Sequence, residues 1–204
     1  ETLHAGIGQG YFLSTPLQLC LMTAQLANGG FKIKPRMVVD ENDEANNLQK
    51  YLDSKKSNTN SWNPVDLEVF NFGLTPLFRN QENINFVKDA MYAATNEAGG
   101  TSYASRYSDK KFMFAGKTGS SQIKRFTEAQ REAEVKQKDI TYKERDHAWF
   151  VAFAPVKEPR YAISVLVEHG GTGSSAAAPL AKKIIKKVIE RHKTRITTSK
   201  NQLT

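Results

Sequence analysis

Two apolar runs near the end of the chain constrain its fold more than anything else. Ala148–Ala154 reads AWFVAFA and Tyr161–Glu168 reads YAISVLVE, with only Pro155–Arg160 between them. Both runs are rich in aromatic and β-branched residues, which predicts strands. Strands joined by so short a turn pair as an antiparallel hairpin. Lys111–Ile123 predicts a third strand, with Phe112, Met113 and Phe114 ahead of its glycines. This third strand is expected beside Ala148–Ala154, with Tyr161–Glu168 on the far side of the latter. Gly170, Gly171 and Gly173 then lead into a helix from about Ser175. Leu180, Ile184, Ile185, Val188 and Ile189 are its expected buried face, with lysines on the other. A helix that follows a hairpin has to lie across one face of the sheet, because both carry an apolar side.

The upstream part predicts two further helices. Thr15 is suited to an N-cap and Pro16 to the first helical position. Leu17, Leu19, Leu21, Met22, Ala24, Leu26 and Ala27 supply a broad apolar face, and Asn28-Gly29-Gly30 stops the helix. A second helix is expected over about 81–97, with Ile84, Val87, Ala90, Met91 and Ala94 at helical spacing and Gly99-Gly100-Thr101 closing it. Residues 4–11, HAGIGQGY, read as a glycine-rich loop, and Phe31–Val39 as a short extended segment broken by Pro35. Residues 40–63 are a polar insertion, and 124–146 a charged excursion between strands. No internal repeat is present.

Charge enters where it bears on partners. The 204 residues carry a net charge of +8, but residues 182–204 hold eight basic side chains against one acid, Glu190. The excess is local to the last helix and tail, so nucleic acid is not an expected partner. The lone Cys20 permits neither an intrachain disulfide nor a cysteine-based zinc cluster. With 39% hydrophobic residues the chain can build a core, yet it has no apolar run long enough to span a bilayer. It begins at Glu1 without an initiator Met or signal peptide, which suits a segment of a longer protein.

The segment with chemistry is Phe114-Ala-Gly-Lys-Thr-Gly-Ser-Ser-Gln122. A phosphate-binding loop also contains Gly-Lys-Thr, but it needs a glycine where this chain has Lys111, and a helix where it has Gly-Ser-Ser. On a strand, the same residues suit capture of an extended peptide. Gly119 leaves room for a substrate backbone, Thr118 offers a hydroxyl to a carboxylate, and Lys117 adds positive charge. The Ser120 backbone N–H can meet a developing oxyanion.

Lys117-Thr118-Gly119 resembles the strand motif of penicillin-binding proteins and serine β-lactamases. Asp146–Pro155 (DHAWFVAFAP) and Val165–Gly173 (VLVEHGGTG) resemble the next two strands of class B penicillin-binding proteins. Gly6-Ile-Gly-Gln-Gly-Tyr11 followed by Thr15-Pro-Leu-Gln18 resembles the loop and helix that precede them. The likeness covers nearly the whole chain in order and is greatest to elongation-type members. It implies an α/β (α+β) fold of the β-lactamase/transpeptidase type, an antiparallel sheet flanked by helices, here as an incomplete domain over 1–195 with a basic, polar tail over 196–204. It implies D,D-transpeptidation of peptidoglycan stem peptides through a serine acyl-enzyme, with β-lactam antibiotics as ligands. It also implies a membrane glycosyltransferase partner, an anchor in the bacterial inner membrane with this domain outside the cytoplasm, and no metal or organic cofactor. Alternatives are a serine β-lactamase, a β-lactam sensor domain, or a non-catalytic split fragment.

Two departures from the family pattern stand out. Ser120 takes the place of the usual Thr, keeping a hydroxyl. The family's Ser-x-x-Lys nucleophile and its Ser-x-Asn motif precede the Gly-Gln-Gly loop, which is already at residues 8–10 here. Ser108-x-x-Lys111 and Ser121-x-x-Lys124 match the first pattern by spacing, but neither is expected at a helix start where serine and lysine share a face. Ser61-x-Asn63 and Ser199-x-Asn201 fall in an expected loop and tail. Cys20 is expected as a packed thiol. His4, His147, His169 and His192 lack metal-ligand spacing and are expected to be structural or at the surface. Gly8 and Gly10 are expected to shape a turn, and Gln9 either to line the cleft or to stabilise the loop by a hydrogen bond.

Overall fold

A computed structural model describes residues 13–35, 77, 80–123 and 139–201, with 192–201 as backbone alone. Helix α1 spans Pro16–Ala27 and α2 spans Gln81–Asn96. Strands β1 (Ala115–Ser121), β2 (His147–Ala154) and β3 (Tyr161–Val167) follow, then a single π-helical turn, Gly173–Ala177, and helix α3, Ala178–Asn201. The expected glycine-rich loop at 4–11, the polar insertion at 40–63, and most of the 124–146 excursion lie outside the described residues.

The sheet has the expected order, β1-β2-β3, antiparallel throughout. Lys117 stands opposite Val151 and Gly119 opposite Trp149, while Trp149 also faces Leu166 of β3. β1 is shorter than expected. Lys111 N–H bonds the Asp109 carboxylate at 2.9 Å, and Phe112 N–H bonds Asp109 O at 3.0 Å, so a turn occupies the residues expected to start the strand. Phe112 and Phe114 are nevertheless buried, ahead of the paired segment.

Alternation along β2 divides the core. Ala148, Phe150 and Ala152 face α3, together with Phe114, Ala178, Ala181, Ile185 and Ile189. Val151 and Phe153 face the other side, with Ala27 of α1 and Met91 of α2. Helices thus cover both faces of the sheet. Phe150 and Phe153 are fully buried, and each such side chain contributes about 1.5–3 kcal/mol. The Phe114 ring meets that of Phe150 edge-on, centroids 6.1 Å apart.

Helices α1 and α2 follow their sequence signals at the ends, but on α1 Leu17 and Met22, expected in the apolar face, are exposed. At the start of α1, Thr15 Oγ1 accepts from Gln18 N–H at 3.2 Å, and Gln18 Oε1 accepts from Thr15 N–H at 2.8 Å. This reciprocal cap satisfies two donors that the first turn cannot. Asn28 closes α1, its Oδ1 accepting from Gly30 and Phe31 N–H at 3.1 and 3.0 Å. Gly29 and Gly30 adopt φ of 94° and 90°, conformations open to glycine. Lys88 of α2 donates to Ala27 O at the end of α1 at 3.4 Å, and burial lowers its pKa. Thr15→Ala is expected to cost about 1 kcal/mol, since it removes one half of the cap and frees Gln18. Urea denaturation of the variant checks this, and an unchanged midpoint would rule the cap out as a source of stability.

On α2 the buried residues are Ile84, Met91 and Thr95, while Val87 and Ala90, expected inside, are exposed. On α3 the buried stripe is Ala178, Ala181, Ile185 and Ile189. Leu180, Ile184 and Val188, also expected inside, are 44%, 45% and 37% exposed. Small alanines let the helix approach the sheet closely, so the branched residues beside them flank the contact instead of entering it. The backbone of α3 runs on to Asn201, through residues expected as tail.

Candidate active site

The expected site residues lie together on β1. Lys117 and Ser120 are exposed, and Thr118 and Gly119 are half-buried. Their backbone groups alternate between β2 and the opposite edge of the strand, as in any antiparallel strand. Hydrogen bonds from α2 fix which residues face the edge. Thr95 Oγ1 accepts from Gly116 N–H at 3.1 Å and lies 3.3 Å from Gly116 O. Asn96 Nδ2 donates to Phe114 O at 2.9 Å. Phe114 and Gly116 therefore point away from β2, and by alternation so do Thr118 and Ser120. The Ser120 N–H faces outward, as an oxyanion donor must. Lys117 Nζ folds along the same edge and donates to Thr118 O at 2.9 Å.

The end of α2 takes the place of a neighbouring strand along the first half of this edge. Asn96 holds Phe114, Thr95 holds Gly116, and Thr118 Oγ1 donates to Thr101 Oγ1 at 3.2 Å. Thr95 is fully buried, and its hydroxyl is 3.1 Å from that of buried Ser102. Ser102 Oγ in turn donates to Ala94 O at 3.0 Å. Beyond Thr118, no described residue hydrogen-bonds the outward groups of Ser120. One half of the edge is closed by the end of α2 and the turn after it, and the other half, at Ser120, presents main-chain groups that no described residue pairs and that suit an added strand.

Gly119 is lightly packed: a Cβ there would touch Trp149 Cβ at 3.3 Å and nothing else nearby. From the opposite face Gly173 presses on the same place. A Cβ on Gly173 would overlap Trp149 O and come within 2.8 Å of Gly119 O. The π-helical turn thus backs the site strand directly, in keeping with the use of such turns at functional positions. Thr95, Ser102, Thr101 and Gly173 were not among the residues expected in the site. Two of them have a local signal: Thr101 belongs to the Gly99-Gly100-Thr101 turn expected to stop α2, and Gly173 to the glycines expected to lead into α3.

Neither internal Ser-x-x-Lys match has the arrangement of a nucleophile. Ser108 lies in an exposed bend, and Ser121 ends β1 opposite His147. Ser61-x-Asn63 and the Gly-Gln-Gly loop lie outside the described residues, and the backbone at Ser199 and Asn201 is helical. His147 Nδ1 accepts from His169 N–H at 2.9 Å, so the neutral ring carries its proton on Nε2. The two rings lie 4.9 Å apart, and His169 has a φ of 55°. No group of three metal-ligating side chains occurs among the described residues. Burial pushes the Cys20 thiol up in pKa, and its Sγ lies 3.5 Å from Ala162 O, as expected of a packed thiol.

The penicillin binding protein transpeptidase domain family matches residues 1–186. The peptidoglycan D,D-transpeptidase MrdA of Haemophilus influenzae is 33% identical over 185 residues, covering 91% of this chain and 25% of the relative. The chain thus spans about a quarter of the length of that curated relative. Among solved structures, it resembles PBP2 in the complex between penicillin-binding protein and MreC from Helicobacter pylori. That likeness has 29% identity and a TM-score of 0.64, covering 93% of this chain and 27% of the other. PBP2 of Pseudomonas aeruginosa in complex with WCK 5153 is 30% identical with a TM-score of 0.60, covering 92% and 33%. The open strand edge, the Lys117-Thr118-Gly119 run and the family match agree: this chain is part of a transpeptidase domain and belongs to the penicillin binding protein transpeptidase family.

Proposed function

We propose that this chain supplies the substrate-binding strand of a peptidoglycan D,D-transpeptidase whose serine nucleophile belongs to another part of the same protein. The outward edge of β1 at Thr118 and Ser120, where no described strand pairs, carries the proposal. An extended stem peptide would add there as a strand, its terminal carboxylate beside the Thr118 hydroxyl and the Lys117 ammonium. Its scissile carbonyl would then lie at the Ser120 N–H, which stabilises the oxyanion as the serine attacks. The C–N bond to the terminal D-Ala breaks as its amine takes the proton the serine has lost, and an amine of a second strand then attacks the ester, its proton returning to the freed serine oxygen. β-Lactams would acylate the same serine. The relatives named for D,D-transpeptidase activity support this reading.

The same family membership supports a place at the bacterial inner membrane, with this domain on the periplasmic or extracellular face and a membrane glycosyltransferase as partner. No helix among the described residues is long and apolar enough to cross a membrane, so the anchor would lie elsewhere in the protein. Peptidoglycan and β-lactams, not nucleic acid, are the ligands of this reading.

Fluorescent penicillin tests it. A longer protein carrying this segment is expected to form an adduct that survives denaturing electrophoresis, and Lys117→Ala is expected to weaken it strongly. The 204 residues alone are expected to stay unlabelled. Absence of any adduct in the longer protein would overturn the function. A band from the 204 residues that vanishes on Ser108→Ala or Ser121→Ala would instead overturn the placement of the nucleophile.

A further inference from the structure

Thr118 has a single hydroxyl proton, and in this structure it is directed at Thr101 Oγ1, 3.2 Å away. To bind a carboxylate it must turn that proton outward. Its oxygen then has a free lone pair facing Thr101, whose own hydroxyl can reverse and donate into it. We propose that Thr101 is a positioning residue for the reaction: it holds the Thr118 rotor and, once a ligand carboxylate is bound, donates to it. This inference rests on the reading of Thr118 as the carboxylate-binding hydroxyl. The result is a chain running from Thr101 O–H to Thr118 O–H to carboxylate, in which each bond polarises the next.

The surroundings of Thr101 suit this task. It is itself exposed, so it meets the open side of the edge. Its neighbours, however, are fixed. Ser102 is 1% exposed, with its N–H and its hydroxyl both bonded to Ala94 O at 3.0 Å. Gly100 N–H bonds Glu97 O at 3.0 Å, and a Cβ on Gly100 would come within 2.5 Å of Ala94 O. The Ser102 hydroxyl reaches Thr95, which grips Gly116, two residues before Thr118 on the same strand. Thr101 is thereby held at a set distance from β1 by a buried network attached to β1 itself. A surface threonine on a free loop would have no such register. The third grip on the edge differs from the other two: Asn96 and Thr95 hold main-chain groups, whereas Thr101 holds the side chain expected to meet substrate.

The test uses a full-length transpeptidase carrying this segment and the acylation kinetics of a β-lactam with a free carboxylate. Thr101→Val keeps the shape and removes the hydroxyl. Loss of one neutral hydrogen bond is expected to weaken pre-acylation binding about three- to tenfold, leaving the limiting acylation rate nearly unchanged. Thr101→Ser is expected to restore binding. In a Thr118→Val background, Thr101→Val is expected to have no further effect, because the group it orients is gone. An equal loss in both backgrounds would overturn the proposal, as would a loss confined to the limiting rate. If Thr118→Val alone leaves binding unchanged, the reading of Thr118 fails, and Thr101 loses its role with it. If Thr118→Val weakens binding and Thr101→Val does not, the inference about Thr101 alone is wrong. Thermal unfolding of each variant separates these outcomes from misfolding.

Discussion

Gly173→Ala is expected to be among the most damaging single-methyl changes in the described part of the chain. The added carbon would overlap Trp149 O and sit 2.8 and 3.0 Å from Gly119 O and Gly119 N. These are main-chain atoms of two paired strands, so no rotamer change can clear the overlap. Either the π-helical turn lifts off the sheet or β1 shifts relative to β2. Overpacking typically costs about 1–3 kcal/mol, and the upper end is expected where the obstacle is backbone that cannot turn aside. That is a large fraction of the roughly 5–15 kcal/mol stability of a typical domain. Gly99→Ala is the informative contrast. Gly99 has a φ of 88° but nothing within 4 Å of the added carbon, so only the left-handed backbone is strained, at about 1–2 kcal/mol. Urea denaturation of both variants separates contact from conformation. Because the displaced strand carries the Ser120 N–H one residue from Gly119, any folded Gly173→Ala protein is also expected to acylate more slowly. A Gly173→Ala protein as stable as the parent would show that the turn does not press on the strand as described.

The pattern of what could be read in advance follows from the range of each interaction. The start of α1 was legible because its cap is made within four residues, Thr15 to Gln18. The sheet order was legible because β2 and β3 are joined by a short turn and each is apolar along its length. The faces of α2 and α3 were less so. Apolar spacing marked Ile184 and Val188 of α3 as core, but burial depends on how closely a helix approaches its sheet, and there the approach is set by Ala178 and Ala181; Val87 of α2 is exposed although Ile84 and Met91 on the same helix are buried. Thr95 shows the opposite case. It reads as an ordinary polar residue in a helix, yet it is fully buried, because its partner is the backbone of Gly116 on another element. A buried hydroxyl is tolerated where its hydrogen bonds are satisfied, and no local pattern reports a partner that only the folded chain supplies. The same applies within the site. Lys117, Thr118, Gly119 and Ser120 are contiguous and carry a motif, whereas Thr101 and Gly173 reach the strand from other elements.

Thr118→Val is expected to reduce β-lactam acylation far more than Thr118→Ser in a protein carrying this segment. Valine and threonine are nearly the same shape and both favour strands, so the fold should be little disturbed. Thr118 is half-buried at the open end of the edge, and among the described residues its hydroxyl meets another exposed hydroxyl, that of Thr101. Losing that contact leaves Thr101 free to bond water, so the stability cost should be small. What valine cannot do is donate to a ligand carboxylate. One charge-assisted hydrogen bond is worth about 1.5–3 kcal/mol, which corresponds to a loss of roughly ten- to a hundredfold in acylation efficiency. Serine keeps the donor and loses a methyl group, so its effect should be a few-fold at most, arising from a less constrained rotor. If Thr118 were needed only for packing, the order would reverse: valine would be tolerated and serine mildly harmful. The second-order acylation constants of the two variants, measured against a β-lactam with a free carboxylate, decide between these. Equal constants would remove Thr118 from the site and leave Lys117 and the Ser120 N–H as the groups that remain on the edge.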